Sequence, residues 1–180
     1  MKFFTKQWYY RVQNGDPPPH DPVCEYKRCI QDYDASTMNI VRQLHLHDAR
    51  LVNINRNGST LSFSFDITHT QLTIERVVFH GVSVEKDEEV TVGDFWAYEE
   101  VFLEKGKFHI GVLFETSEGT LKELEMTVKT VSFVESEKRV KMFAQLQKLL
   151  GEYKVCAPSE RKGVLESMRE CFGNETKSGE

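Results

Sequence analysis

The sequence lacks the long apolar run of a membrane-spanning helix, for which roughly 18 apolar residues are needed. Its first residues, MKFFTKQWYYRV, reach lysine and arginine before any apolar run of signal-peptide length. An excess of positive charge is also missing, since the net charge is -5 at pH 7. These absences predict a cytoplasmic protein that binds neither membranes nor nucleic acid.

Cysteine is scarce, and its spacing matches no common cysteine-based site. The four residues stand at Cys24 and Cys29 and at Cys156 and Cys171, which fits neither zinc-binding nor redox CxxC spacing. We expect these thiols to stay reduced. The chain also lacks a phosphate-binding glycine loop, a nucleophile elbow and a zinc-protease helix. No catalytic residue is therefore predicted.

The composition is that of an ordinary globular protein. Hydrophobic residues make up 39% of the 180-residue chain and charged residues 28%. A chain of this length can bury enough surface to fold without a disulfide or metal staple. We predict a single α+β domain over residues 1–172 and a disordered tail over residues 173–180.

Apolar residues at helical spacing predict helices near the start of the chain. Phe4, Trp8 and Val12 recur at intervals of four within residues 2–13. Residues 22–44 predict one or two further helices, with Asp34 or Ser36 as the N-cap at an internal break.

The middle of the chain changes to the period of a β-strand. Turn signals recur between residues 49 and 134, which indicates an antiparallel sheet built from hairpins. Beyond residue 135 two apolar stripes predict two helices, the second capped by Ser159. The expected fold class is α+β, with a central antiparallel sheet over about residues 49–134 and with N-terminal helices and two C-terminal helices packed on it.

The first hairpin has a turn signal at Asn57-Gly58. As a two-residue turn it places Val52 opposite Phe63 and separates an apolar face from a polar one.

Two histidines and an aspartate precede this hairpin in the segment LHLHDARLVNI. Extending the register backwards places His45 and His47 on the polar face and Asp48 on the apolar face. Because neighbouring side chains of a regular strand point to opposite faces, His47 and Asp48 are not expected to ligate one ion. Asp48 is expected to accept hydrogen bonds from backbone amides or from His69.

The next hairpin turns at Lys105-Gly106, which places Val101 opposite Ile110 and Ala97 opposite Phe114. The turn after it could hold two or three residues. Only the three-residue turn places Val112 opposite Leu124, whereas the two-residue turn would place it opposite Glu125. The three-residue turn is therefore predicted.

That choice predicts a cluster of side chains on the outer face of the sheet. Gly111 lies between Glu100 and Glu125, with His109 diagonal to both. Glu100, His109 and Glu125 could together hold a divalent metal or a small cationic ligand, or they could simply be solvated. The same face would carry three aromatic residues as a ligand-binding patch: Trp96, Tyr98 and Phe102.

Three segments resemble a bacterial family described as domain of unknown function 4085. They are MKFFTKQWY at the start, LHLHDARLVNI before the first hairpin and WAYEEVFLEKGKFHIGVLFE. The resemblance covers about residues 1–134. It implies a small bacterial cytosolic α+β protein and brings no activity, cofactor or catalytic residue.

Two functional hypotheses follow. The favoured one is a non-enzymatic module, immunity-like or regulatory, that needs no cofactor. It would bind an unknown protein partner through the aromatic sheet face or through the acidic loop EKDEE. The alternative is a metal-dependent hydrolase that uses Glu100, His109 and Glu125 to activate a water molecule. The sequence leaves open whether the protein forms a homodimer.

Overall fold

The structure is a computed structural model, and it describes residues 1–16, 21–155 and 161–173. The chain divides into two compact units, Met1–Val134 and Glu135–Glu180. The single domain over residues 1–172 stays a prediction, and the predicted tail beyond Gly173 and the predicted Ser159 cap lie outside the described residues. No helix in the described ranges is long and apolar enough to cross a membrane.

Three short helices precede the sheet, and their first turns are capped by side chains. Thr5, Asp21 and Asp34 each accept a hydrogen bond from a backbone N–H of the helix that follows, so the predicted Asp34 cap is confirmed. The helices of the described residues are α1 Lys6–Gln13, α2 Pro22–Ile30, α3 Ala35–Gln43, α4 Glu137–Val155 and α5 Arg161–Gly173.

Eight strands form one antiparallel sheet, in the order β4-β7-β6-β5-β1-β2-β3-β8. Helices at both ends of the chain and a sheet between them confirm the α+β class. The strands are β1 Arg50–Asn57, β2 Thr60–Asp66, β3 Ile74–His80, β4 Ser83–Asp87, β5 Phe95–Glu104, β6 Lys107–Glu115, β7 Leu121–Val128 and β8 Thr130–Glu135.

The sheet curls strongly around an aromatic core. Phe63 on β2 and Phe114 on β6 are separated by two strands in the sheet order, which in a flat sheet would place them roughly 14 Å apart. Their ring centroids are only 5.9 Å apart. Phe79 and Trp96 are also fully buried, and both lie within 6.5 Å of Phe63. The inner face therefore closes on itself and supplies its own core.

The β5 strand is paired unevenly. It pairs with β6 over its whole length but with β1 only at its first residue, Phe95. Further along, the N–H of Val101 donates to the Tyr26 hydroxyl at 2.8 Å, and the N–H of Leu103 donates to the Tyr33 hydroxyl at 3.0 Å. Helix α2 and the segment after it thus complete an edge that no strand covers.

The first hairpin differs from its predicted register. Its turn is Gly58-Ser59 and not Asn57-Gly58, so the β1 residues nearest the turn face β2 residues two positions later than predicted. Because side chains alternate with a period of two, this shift leaves them on their predicted faces. A bulge after Leu51 then reverses the alternation, so that Leu51 is fully buried and Val52 is 47% exposed. The predicted opposition of Val52 and Phe63 is wrong, because the shifted turn places Ile54 opposite Phe63.

A second bulge lies in β5 at Ala97. Trp96 faces Phe114, and Tyr98 faces Leu113, so Trp96 and Tyr98 point to opposite faces. Trp96 is fully buried. The predictions that Ala97 faces Phe114 and that Trp96 is exposed beside Tyr98 are wrong, because the bulge adds one residue to the alternation.

Beyond the bulge the predicted registers are confirmed. Val101 faces Ile110, and Val112 faces Leu124. The amide of Thr116 donates to the carbonyl of Thr120 at 2.8 Å, which closes the predicted three-residue turn.

The contact between Tyr26 and β5 gives a prediction for stability. Tyr26→Phe removes the hydroxyl that accepts from the Val101 N–H, and we expect the free energy of unfolding to fall by about 1–3 kcal/mol. Urea unfolding monitored by circular dichroism measures the change. Tyr10→Phe, at a tyrosine that is 43% exposed, is the control. Equal stability of the two variants would contradict the role given to the hydroxyl.

Candidate functional site

The two predicted carboxylates flank Gly111, and this part of the sheet borders a cavity. Glu100 and Glu125 face Gly111 from the two neighbouring strands, as predicted. Together with His109 and Phe102 they line a cavity of about 250 Å³, called here the acidic cavity. No three His, Cys, Asp or Glu side chains of the described residues are grouped so that they could hold a metal ion.

The Glu100 carboxylate is used by the beginning of the chain. It accepts hydrogen bonds from the backbone N–H groups of Lys2 at 2.8 Å, Phe3 at 2.5 Å and Phe4 at 2.6 Å. Glu100 is only 2% exposed, so these three donors replace its water. The same contacts explain why α1 begins at Lys6, although the spacing of apolar residues predicts a helix over residues 2–13.

The amino group of Met1 lies among the other carboxylates. Its nitrogen is 3.0 Å from Glu125 and 3.3 Å from Glu123. Burial lowers the pKa of this amino group, but the hydrogen bond to Glu125 and the charges of Glu123 and Glu125 outweigh burial and raise it. A Cβ on Gly111 would lie 2.8 Å from the Met1 Cγ, so a side chain at this position would force the Met1 side chain to shift.

His109 does not contact either predicted metal-binding carboxylate. Its Nδ1 is 3.3 Å from the Thr127 hydroxyl, and its Nε2 is 4.0 Å from a Glu104 oxygen. In this structure the positive charge beside the predicted metal ligand Glu125 is the amino group of Met1.

The predicted aromatic patch is largely covered. Phe4 stacks on Tyr98 with ring centroids 5.4 Å apart, and Trp8 meets the same ring edge-on at 4.9 Å. Phe3 and Tyr26 pack against Phe102. The segment before α1, α1 itself and α2 thus cover the face that was expected to be open.

The segment with His45, His47 and Asp48 is a turn, not the start of a strand. Asp48 has a left-handed backbone with φ of 68°, and its carboxylate lies 3.0 Å from the Nδ1 of His47. The prediction that His47 and Asp48 are kept apart by strand alternation is therefore wrong, because the alternation does not extend this far.

His45 takes part in a different contact, with a carboxylate that the sequence analysis did not single out. Its Nδ1 is 2.9 Å from one oxygen of Glu99, and the other oxygen accepts the indole N–H of Trp96 at 3.0 Å. The hydrogen bond to Glu99 raises the pKa of His45 above its ordinary value, although partial burial of the ring opposes the shift. Glu99 is only 8% exposed, so the carboxylate of the pair is buried. The His45 side chain is more accessible to solvent.

A second cavity, called here the helix cavity, opens beside this pair. It has a volume of about 370 Å³ and an almost wholly apolar lining. It lies where α2 and α3 cover the part of β5 that β1 leaves unpaired. The lining residues are Phe4, Val23, Tyr26, Lys27, Ile30, Met38, Val41, Arg42, His45, Tyr98 and Glu99.

Comparison with known families gives one result. The family described as a protein of unknown function, DUF4085, matches residues 4–128. The chain belongs to the DUF4085 family. The match extends from the segment before α1 to the end of β7, so it includes the lining of the helix cavity and confirms the resemblance seen in the sequence. No curated protein and no solved structure matches the chain.

Of the six residues predicted to bind a ligand or a metal, Tyr98 alone lines the helix cavity of this DUF4085 protein. Glu99 could have been found from the sequence, because the correct β5 register places this carboxylate opposite the buried Val112. A carboxylate on an apolar face needs a partner. The partner of Glu99 is His45, which lies 54 positions earlier in the chain, and no sequence pattern connects these two residues.

The Glu100 contacts give a second prediction. Glu100→Gln replaces one acceptor oxygen by an amide donor that faces backbone N–H groups, so we expect the free energy of unfolding to fall by about 1–3 kcal/mol. Chemical denaturation measures the loss, and faster hydrogen exchange at the amides of Lys2 to Phe4 locates it. Glu104→Gln, at an exposed carboxylate, should change either readout little. Unchanged exchange at these amides would contradict the proposed anchoring.

The contact between His45 and Glu99 gives a prediction for pH. Because the folded-state pKa of His45 is raised, its contribution to stability is fully present below 6.5, the ordinary value, and is lost as pH rises through the folded-state pKa. The stability difference between wild type and His45→Gln should therefore be larger at about pH 5.5 than at about pH 8.5. The same comparison with His80→Gln, which alters a histidine that contacts Ser132, is the control. A His45 pKa of 6.5 or lower by NMR titration would contradict the assignment.

Proposed function

We propose that this DUF4085 protein is a non-enzymatic binding module and that its ligand is a small molecule held in the helix cavity. The observation that carries the proposal is a preformed apolar cavity of about 370 Å³ between helices and an incompletely paired strand. Small-molecule sites are typically concave and mostly apolar, with a volume of about 300–1,000 Å³ and a few fixed polar groups. The helix cavity has each of these properties.

The walls of the cavity are fixed by contacts on both sides. Tyr26 is anchored to β5 through its hydroxyl, and Tyr98 is held between Phe4 and Trp8. Glu99 is held by Trp96 from below. Because the walls of the cavity are already fixed, their side chains lose little conformational entropy when a ligand enters, and this favours binding.

Binding is favoured over catalysis by the chemistry of the lining. His45 and Glu99 form an oriented base and carboxylate pair, but the described lining contains no serine, threonine or cysteine that the pair could activate. The metal-dependent alternative depends on Glu100 and Glu125, and both carboxylates contact the first residues of the chain.

A small molecule is also favoured over a protein as the occupant. Protein binding through the aromatic face needs Trp96, Tyr98 and Phe102 at the surface. Trp96 is fully buried, and the rings of Phe4, Trp8 and Tyr26 cover much of the other two. A protein partner would therefore have to use a surface other than the aromatic face.

Titration with 1-octanol, a neutral apolar probe, tests the proposal. In two-dimensional amide NMR we expect saturable shifts at α2, α3 and residues 98–99, with the acidic cavity unaffected. Val23→Phe places a larger side chain at the cavity wall and should weaken binding by about tenfold or more. Val12→Phe, which makes the same change at a 40% exposed helical position away from the cavity, should not. Shifts that do not saturate, or that centre on the acidic cavity, would sink the proposal.

A further inference from the structure

The rim of the helix cavity indicates which class of ligand it holds. Resting on the function proposed above, we infer that the ligand is an amphipathic anion, with an aliphatic chain in the cavity and an anionic head group between Lys27 and Arg42. Three properties of the site support this: its size, the charges on its rim and the contacts of the Glu99 carboxylate.

The size of the cavity limits the chain. At the roughly 30 Å³ that a water molecule occupies in the liquid, a cavity of about 370 Å³ has room for about a dozen non-hydrogen atoms. This corresponds to a straight-chain acid of medium length. Ile30, Met38 and Val41 supply the aliphatic lining that such a chain would contact.

The rim carries two cations without carboxylate partners. Lys27 on α2 and Arg42 on α3 both line the cavity and are exposed. Neither makes an ion pair with any other residue that the structure describes. Two unpaired cations at one apolar mouth are complementary to an anionic head group.

Among the described residues of the lining, Glu99 is the only carboxylate, and it does not cancel this charge. Both oxygens of Glu99 are occupied, one by His45 and the other by the indole N–H of Trp96. A protonated His45 neutralises Glu99, and the excess charge at the mouth is then that of Lys27 and Arg42. A cationic head group would meet the like charges of Lys27 and Arg42, and the carboxylate of Glu99 is already engaged by His45 and Trp96.

Isothermal titration calorimetry with three head groups on one chain tests the inference: octanoate, 1-octanol and octylammonium. We expect octanoate to bind about fivefold or more tightly than 1-octanol, with octylammonium weakest, and we expect this advantage to shrink in about 0.5 M salt. From hexanoate to octanoate the affinity should rise roughly fourfold per added carbon.

Matched variants locate the head group. The double variant Lys27→Gln and Arg42→Gln should lose the preference for octanoate while its affinity for 1-octanol stays the same. Arg28→Gln, at an exposed α2 residue outside the lining, should keep the preference. Retention of the preference in the double variant would overturn the inference.

The outcomes separate this inference from the proposed function. If 1-octanol binds in the cavity and octanoate binds no better, the binding module stands and the anionic head group is wrong. If neither binds there, the proposed function fails as well. Sedimentation with phosphatidylglycerol vesicles in the absence of octanoate binding would also overturn the inference, because the partner would then be a membrane surface and not a free amphiphile.

Discussion

Between β1 and β5 the sheet is paired at one end only, and the remaining backbone N–H groups of β5 need other partners. An unpaired buried donor costs about 1–3 kcal/mol, and the hydroxyls of Tyr26 and Tyr33 accept from two of these groups. Their contacts hold α2 and the segment after it against the strand. A neighbouring strand would lie about 4.8 Å from β5. A helix is about 10 Å wide with its side chains, so its axis must lie farther from the strand. The helix cavity lies in the space that remains.

The acidic cavity and the helix cavity of the first unit are used differently by the chain. In the acidic cavity the carboxylates of Glu100 and Glu125 contact the backbone and amino group of the first residues, which ties the start of the chain to the sheet. In the helix cavity the polar rim is cationic and two of its charges are unpaired. Satisfied charges stabilise a fold, whereas unsatisfied charges beside an apolar space can recognise a ligand. For this reason the candidate binding site is the helix cavity and not the cluster of Glu100 and Glu125.

Much of the fold was predictable, and the errors about which face of the sheet Val52 and Trp96 occupy have one physical cause. Helices at both ends, the Asp34 cap and the registers of Val101 with Ile110 and Val112 with Leu124 follow from periodicity and turn chemistry. The errors at Val52 and Trp96 both arise at bulges, where one extra residue reverses every face assignment beyond it. Both bulges lie beside the short β1–β5 pairing. Strand alternation carries no signal for such an insertion, because a bulge is favoured by packing against distant residues.

The sequence by itself determined the α+β class, the order of helices and strands and the grouping of Glu100 and Glu125 around Gly111, since these depend on neighbours along the chain or across one hairpin. Only the tertiary structure decided that the sheet curls, that the first residues contact those carboxylates and that His45 meets Glu99. The reason is distance along the chain. His45 and Glu99 are separated by 54 positions, and Phe3 and Glu100 by 97, so these contacts exist only once the whole unit has folded.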